Sequence, residues 1–256
     1  MQSVLPEVNM SNQSVAQRLH EQLWNIIAAT KPGRRLPSEP RLAAQLGVSR
    51  ATLREAMRAF ETQGYIRRRQ GSGTYVNQPP QVIQSGLEVL ESIETLAQRE
   101  GVAVDFGALS IERRSADSTD CQALKLAPGE EALCISRVIF AENRSVAYLV
   151  DIVPEHLISP EELSAGFHGS VLDLLLQRGE PPLMASRTEI SAATASSQVA
   201  RALGIQRGDV LLCFTADLYS ADGQVVDHSY SYFLPGHFRF HVVRRVGKQE
   251  RASGEV

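Results

Sequence analysis

The chain has 256 residues, 43% of them hydrophobic, with 26 Lys+Arg against 29 Asp+Glu and a formal net charge of −3. That length exceeds the usual single domain and the apolar content suffices for two cores, while no stretch approaches a transmembrane span and residues 1–9 have neither the basic start nor the apolar core of a signal peptide. A cytoplasmic protein is expected, and the three scattered cysteines, Cys121, Cys134 and Cys213, fit buried thiols in a reducing compartment.

The small net charge hides two regions of opposite sign. Residues 1–78 carry 11 Lys+Arg against 5 Asp+Glu, a formal +6, whereas residues 79–256 carry 15 against 24, a formal −9. A basic module joined to an acidic one suits phosphate binding by the first and a different task for the second.

In chain order, Val15, Leu19, Leu23, Ile26 and Ile27 form a helical stripe within residues 13–29, ended by Lys31-Pro32-Gly33. Ser38 is a good N-cap for a second helix, whose Leu42, Ala43 and Leu46 recur at three-to-four spacing, and Gly47 supplies the left-handed turn that stops it. Ser49 caps a third helix over residues 50–62, with Leu53, Ala56, Met57 and Phe60 as its buried stripe. At roughly 100° per residue, Ala51, Arg54, Glu55 and Arg58 face away from that stripe. Two short strands, 65–69 and 74–76, then flank the turn Gln70-Gly71-Ser72-Gly73. Helix, helix, helix, hairpin is a winged helix-turn-helix, and its third helix is the candidate reading head for double-stranded DNA. Arg67, Arg68 and Arg69 alternate along a strand, so at least one must point at the domain's own surface.

Asn77-Gln78-Pro79-Pro80-Gln81 reads as a linker, since consecutive prolines bar helix and central strand alike. Residues 87–99 read as a helix. Strand-like runs follow at about 104–114, 132–141, 145–153, 183–192, 210–219, 225–234 and 238–245, broken by helices near 119–125, 160–164, 171–178 and 195–203. Ser220-Ala221-Asp222-Gly223 marks a hairpin. This order predicts an α+β protein: a winged helix-turn-helix domain over residues 11–78, a linker over 79–86, and a domain built on an antiparallel sheet over 87–246.

Leu36-Pro37-Ser38-Glu39, Leu46-Gly47-Val48-Ser49-Arg50, Thr52-Leu53-Arg54 and the run from Arg68 to Val76 resemble the winged helix-turn-helix signature of GntR-family bacterial transcription regulators. The resemblance implies that Ser49, Arg50, Thr52 and Arg54, with Gln70 and Gly71 at the wing tip, contact operator DNA. Arg50 and Arg54 are suited to guanine or phosphate, and Ser49 and Thr52 to phosphate oxygens. Ser38 serves as a cap that can also meet phosphate, and Arg58 belongs to the same face, either as a DNA contact or as a solvated side chain. One departure concerns operator preference: the family commonly has Arg after Pro-Ser-Glu, and here that place holds Pro40.

The segments 124–130, 135–138, 146–154, 169–175, 202–204, 208–212 and 226–240 resemble the UTRA effector domain of the HutC-type GntR subfamily. This implies a chorismate-lyase-like sheet, a homodimer, and a pocket for a small metabolite such as a sugar phosphate, an amino-acid breakdown product or a phosphonate. By position in that motif, Arg137, Ser170, Asp227, Ser231 and Tyr232 are the candidate effector residues. Arg137 lies mid-strand among apolar residues, where a buried charge needs a carboxylate or an anionic ligand, so an internal salt bridge and an effector contact both satisfy it. Ser170, with Asp173 three residues on, reads as a capping-box serine at a helix start that also suits an anion. Period two places Asp227, Ser229 and Ser231 on one strand face and His228, Tyr230 and Tyr232 on the other, so Tyr232 reaches the same pocket only through a bulge. Leu149 stands where the module often carries glutamate, and losing that carboxylate counts against an amino-sugar or hydroxyl-rich effector and makes the pocket more apolar.

An enzyme is the alternative class, specifically a lyase-like fold fused to a DNA-binding head; another alternative is a dimeric DNA-binding protein without effector. There is no nucleophile elbow, P-loop, dinucleotide fingerprint or spaced Cys/His set, and His237 and His241 sit in a strand-like run with Phe238 and Phe240. No catalytic residue, metal or cofactor is expected. The expected protein is a repressor that binds a near-palindromic operator as a homodimer and responds to a metabolite.

Overall fold

The computed structural model describes residues 15–69, 71–77, 82–107, 109–164, 167 and 169–244. It divides into two units, Met1–Gln81 and Val82–Val256.

In the first unit, α1 (Val15–Ala29), α2 (Glu39–Leu46) and α3 (Arg50–Thr62) precede an antiparallel hairpin of β1 (Ile66–Arg69) and β2 (Gly73–Val76). Leu19, Leu23 and Ile27 of α1 close on Leu42 of α2, Leu53 and Met57 of α3, and the hairpin's Ile66 and Val76 in one core. Phe60 lies at its edge, 1% exposed, against the rings of His20, Trp24 and Tyr65. The turn between α2 and α3 follows from two residues. Gly47 adopts φ 64°, which lets its N–H reach back to the carbonyls of Ala43 and Ala44. Ser49 Oγ then accepts the Thr52 N–H at 3.1 Å and starts α3. Ser38 behaves differently from expectation: it stands at the N-cap of α2, but its side chain accepts no capping bond. Pro40 in the first turn lacks an N–H that would otherwise be orphaned, so the helix tolerates both.

The second unit comprises β3 (Ile83–Gly86), α4 (Ile93–Arg99), β4 (Val104–Phe106), β5 (Ser110–Ser115), α5 (Ser118–Leu124), β6 (Glu131–Ala141), β7 (Arg144–Pro154), α6 (Pro160–Ser164), α7 (Val171–Arg178), β8 (Leu183–Thr194), α8 (Ser197–Leu203), β9 (Val210–Ser220), β10 (Val225–Phe233) and β11 (Phe238–His241). Seven strands make one antiparallel sheet in the order β4, β6, β7, β10, β9, β8, with β5 pairing further along β6. Alternation gives this sheet two apolar faces. One packs on α4 through Ile93 and Leu96, and on α7 through Val171 and Leu175. The other packs on α8 through Val199 and Leu203, and on the end of α5 through Leu124. Helices therefore pack on both sides of the sheet, while the edge strand β8 is largely exposed.

Three elements differ from the sequence reading. Ile83–Gly86, placed in the linker, forms β3 and pairs in parallel with β11, Ile83 opposite Phe238 and Gly86 opposite His241. The expected helix over 87–99 begins only at Ile93, because Ser92 Oγ accepts the Thr95 N–H at 3.0 Å and caps it there. Leu87, Val89 and Leu90 precede that cap as exposed residues. The long strand expected over 104–114 is two strands, β4 and β5.

Candidate functional site

Two surfaces carry the candidate residues, one in each unit. In the first, α3 presents Arg50, Ala51, Thr52, Arg54 and Glu55 to solvent while Leu53, Met57 and Phe60 are buried. The hydroxyls of Ser49 and Thr52 share a hydrogen bond of 2.8 Å at the start of the helix, so a phosphate there meets two preplaced hydroxyls and the first N–H groups of α3. Arg54 Nε donates to Glu39 Oε2 at 2.6 Å, and the Arg54 side chain remains 57% exposed. The glutamate of the Leu-Pro-Ser-Glu sequence thus orients an arginine of the reading helix, a role that sequence spacing did not reveal. Arg58 is half-buried and donates to Glu55 Oε2 at 3.2 Å, which turns it along the helix. Among the strand arginines, Arg68 is the one that folds back, donating to the Arg54 carbonyl at 3.2 Å, while Arg69 lies 5.1 Å over the Tyr75 ring. Gly71 at the wing takes φ 71°, where any side chain would be strained. Gln70 lies outside the described residues.

The second site is a cavity of about 770 Å³ on the sheet face that carries α4 and α7, within the range of small-molecule pockets. Its floor follows from strand register. Arg137 of β6 stands opposite Leu149 of β7, which stands opposite Ser231 of β10 and then Phe214 of β9. The adjacent row holds Asp151, Ser229 and Ala216. Arg137, Ser170, Asp227 and Ser231 all line this cavity, as does Leu149. Tyr232 does not line it: it stacks on Tyr148 with ring centroids 6.3 Å apart, within the opposite cluster on α8. A bulge does interrupt β10, but it falls between Val225 and Asp227, so the period of two is intact from Asp227 onward and keeps Tyr232 on the far face. His228 on that face bridges Asp217, 2.7 Å from Nδ1, and the Tyr230 hydroxyl, 3.0 Å from Nε2.

The charges of the cavity centre on Arg137, which is 4% exposed. Its Nη1 donates to Asp151 Oδ2 at 2.5 Å, and its Nε lies 3.5 Å from Glu94 Oε1. Burial opposes this charge, and the two carboxylates outweigh burial, holding the guanidinium's pKa above its ordinary value. The internal salt bridge is therefore present, formed with Asp151, a partner the sequence reading did not single out. A lone carboxylate in the apolar run from Val146 to Pro154 was the available signal. Ser170 caps α7, accepting the Asp173 N–H at 3.1 Å, without the reciprocal bond of a capping box. Asp227 is 6% exposed, and its Oδ1 has no hydrogen-bond partner. Burial first, then repulsion from Asp151, pushes its carboxyl pKa well above the usual carboxylate range, and Arg137 offsets this only in part.

A raised folded-state pKa means that the native protein keeps a proton which the unfolded chain loses above about pH 3.9, so the Asp227 contribution to stability falls as pH rises through that window. Asp227→Asn, neutral at every pH, is expected to stabilise the second unit at pH 7 by about 1–2 kcal/mol, roughly 2–8 °C in melting temperature. The gain should shrink as pH approaches 4. A variant melting below the parent protein at pH 7 would contradict this account of Asp227.

A basic winged head with an oriented arginine on its third helix, joined to a unit holding a part-polar cavity, defines a DNA-binding transcription regulator with a small-molecule domain. The chain belongs to the gntR family of bacterial regulatory proteins, matched over residues 11–76, and carries a UTRA domain, matched over residues 99–239. It is 27% identical over 228 residues to the HTH-type transcriptional repressor NagR of Bacillus subtilis, covering 88% of this chain and 91% of that one. It is 30% identical over 214 residues to the HTH-type transcriptional regulator Rv0792c of Mycobacterium tuberculosis, covering 82% and 77%, and 26% identical over 235 residues to the histidine utilization repressor of Klebsiella aerogenes, covering 89% and 90%. The fold is that of PhnF from Mycobacterium smegmatis, with a TM-score of 0.60 at 21% identity over 90% of this chain and all of that one. Family and relatives alike are regulators of transcription, which points away from an enzyme.

Proposed function

We propose that the protein is a cytoplasmic repressor that binds a near-palindromic operator as a homodimer, and that a small metabolite in the cavity alters its operator affinity. In this reading residues 11–78 are the DNA-binding domain, and the chain from Ile83 to about 246 is the effector and dimerisation domain. Arg50 and Arg54 read base edges or phosphates, Ser49 and Thr52 hold phosphate, and Gly71, with Gln70, approaches the backbone at the wing. Arg137, Ser170, Asp227 and Ser231 form the effector site, and Arg137 acts there mainly by holding Asp151 in place. The repressor role is drawn from relatives whose names carry it.

The observation that carries the switch is the lining of the cavity. Leu87, Glu88, Val89, Leu90 and Glu91 all line it, and they lie a few residues past the point where the chain enters the second unit. A ligand that touches this stretch bears on the tether of the reading head, so two arrangements of the tether with different ligand affinities suffice for coupling. Dimerisation is favoured by β8, a 12-residue strand at the edge of the sheet whose outer backbone groups are open to pairing. Selection of binding sites from random duplex DNA tests the operator: an inverted repeat is expected, with half-site centres about one helical turn or a multiple of it apart. Enrichment of a single asymmetric site bound by one subunit would refute the dimeric reading.

A further inference from the structure

The charge around the cavity is unsuited to an anion. Among the described lining residues, one guanidinium, Arg137, accompanies four carboxylates, those of Glu88, Glu91, Asp151 and Asp227. Arg137 is already engaged by Asp151 at 2.5 Å and faces Glu94 at 3.5 Å, so two negative groups enclose it and little of its field reaches a ligand. Ser170 Oγ is engaged as the cap of α7. Glu88 and Glu91 have partners of their own, the Val243 N–H and Arg99.

Arg137 Nε lacks a hydrogen bond but faces the Glu94 carboxylate, whereas Asp227 has an oxygen with no donor. Asp227 lines the cavity at 6% exposure, and Oδ1 meets no donor among the described residues. Ser229, the next residue of β10 on that face, stands opposite Asp151, so two carboxylates and a hydroxyl meet on one patch of floor. A buried carboxylate with one oxygen lacking a donor is costly, and a ligand that donates to that oxygen relieves it.

We infer that the cavity takes a ligand bearing a cationic nitrogen, an ammonium or guanidinium, seated on Asp227 beside Asp151, with its apolar body against Leu149, Phe214 and Phe233. This rests on reading the cavity as the effector site. Ser229 and Ser231 meet the remaining polar groups of such a ligand. Burial and the neighbouring Asp151 push the Asp227 carboxyl pKa up, and a cation seated on Asp227 counters both effects.

The experiment uses the full chain and two series of probes matched in shape and differing in charge: tyramine, tyrosol and 4-hydroxyphenylacetate; glucosamine, glucose and glucose 6-phosphate. Each is measured at up to 20 mM by melting temperature and isothermal titration, with the parent protein and Asp227→Asn. The amine of at least one series should bind tenfold or more tighter than its neutral and anionic partners, with that preference falling below twofold in Asp227→Asn. Binding led by the neutral or anionic member, or an amine preference that persists in Asp227→Asn, overturns the inference and leaves the cavity as a ligand site. Absence of binding by every probe overturns the inference; the effector reading is judged separately, by whether any ligand of the cavity alters operator affinity.

Discussion

Replacing Arg137 with alanine is expected to destabilise the second unit by about 3–5 kcal/mol, because it removes the cation from a buried group of carboxylates and leaves Asp151 and Glu94 without compensation. Arg137 is 4% exposed and Asp151 is 13% exposed at its side chain, so water cannot take over the lost partner. Calorimetric melting at pH 7 measures the effect, and at roughly 2–4 °C per kcal/mol the unit should melt about 6–20 °C lower. Arg137→Met combined with Asp151→Leu should recover part of the loss, since an apolar pair of similar volume avoids the unpaired charge. A single variant melting within 2 °C of the parent would contradict the buried network. The same network explains why Arg137→Ala is a poor test of ligand recognition: its effect on folding precedes any effect on binding.

Arg54→Ala concerns the other unit and lies outside its core, because the side chain is 57% exposed while the buried stripe of α3 is Leu53, Met57 and Phe60. The expected loss is about 1–3 kcal/mol for each base contact removed, or roughly 5- to 150-fold in operator affinity per contact, with the melting temperature unchanged. Glu39→Gln should give a smaller loss of the same kind, because it weakens the 2.6 Å bond that orients Arg54 without removing the guanidinium. Fluorescence anisotropy on the selected operator measures both. Affinity within twofold of the parent for Arg54→Ala would remove it from the reading face.

The elements legible in the sequence are those fixed by near neighbours. Gly47 and Ser49 set the turn of the reading head within a few residues of themselves, and Asp222-Gly223 closes the β9–β10 hairpin with Gly223 at φ 81°. Period two likewise separates Asp227 and Ser231 from Tyr232, since it needs only the alternation of one strand. What escapes is set by distant partners. Ile83–Gly86 becomes a strand only because β11, at the far end of the second unit, supplies its ladder, and four residues have no pattern long enough to announce that. Leu87, Val89 and Leu90 suggest a helix by spacing, yet Ser92 caps α4 after them and leaves them at the cavity. Asp151 and Glu94 stand 57 residues apart in numbering and meet only through Arg137, so the acidic surroundings of that guanidinium depend on register across β6 and β7 together with the placement of α4.

In the proposed switch, one chain couples a DNA-reading helix to an occupied cavity. Titrating the full protein into fluorescent operator, with and without a saturating ligand identified by calorimetry as binding the second unit, measures that coupling. At least a fivefold change in operator affinity is expected, a coupling of about 1 kcal/mol, and it should disappear when Ser231→Ala and Asp227→Asn together weaken the cavity. An operator affinity that stays the same while the ligand demonstrably fills the cavity would contradict the switch.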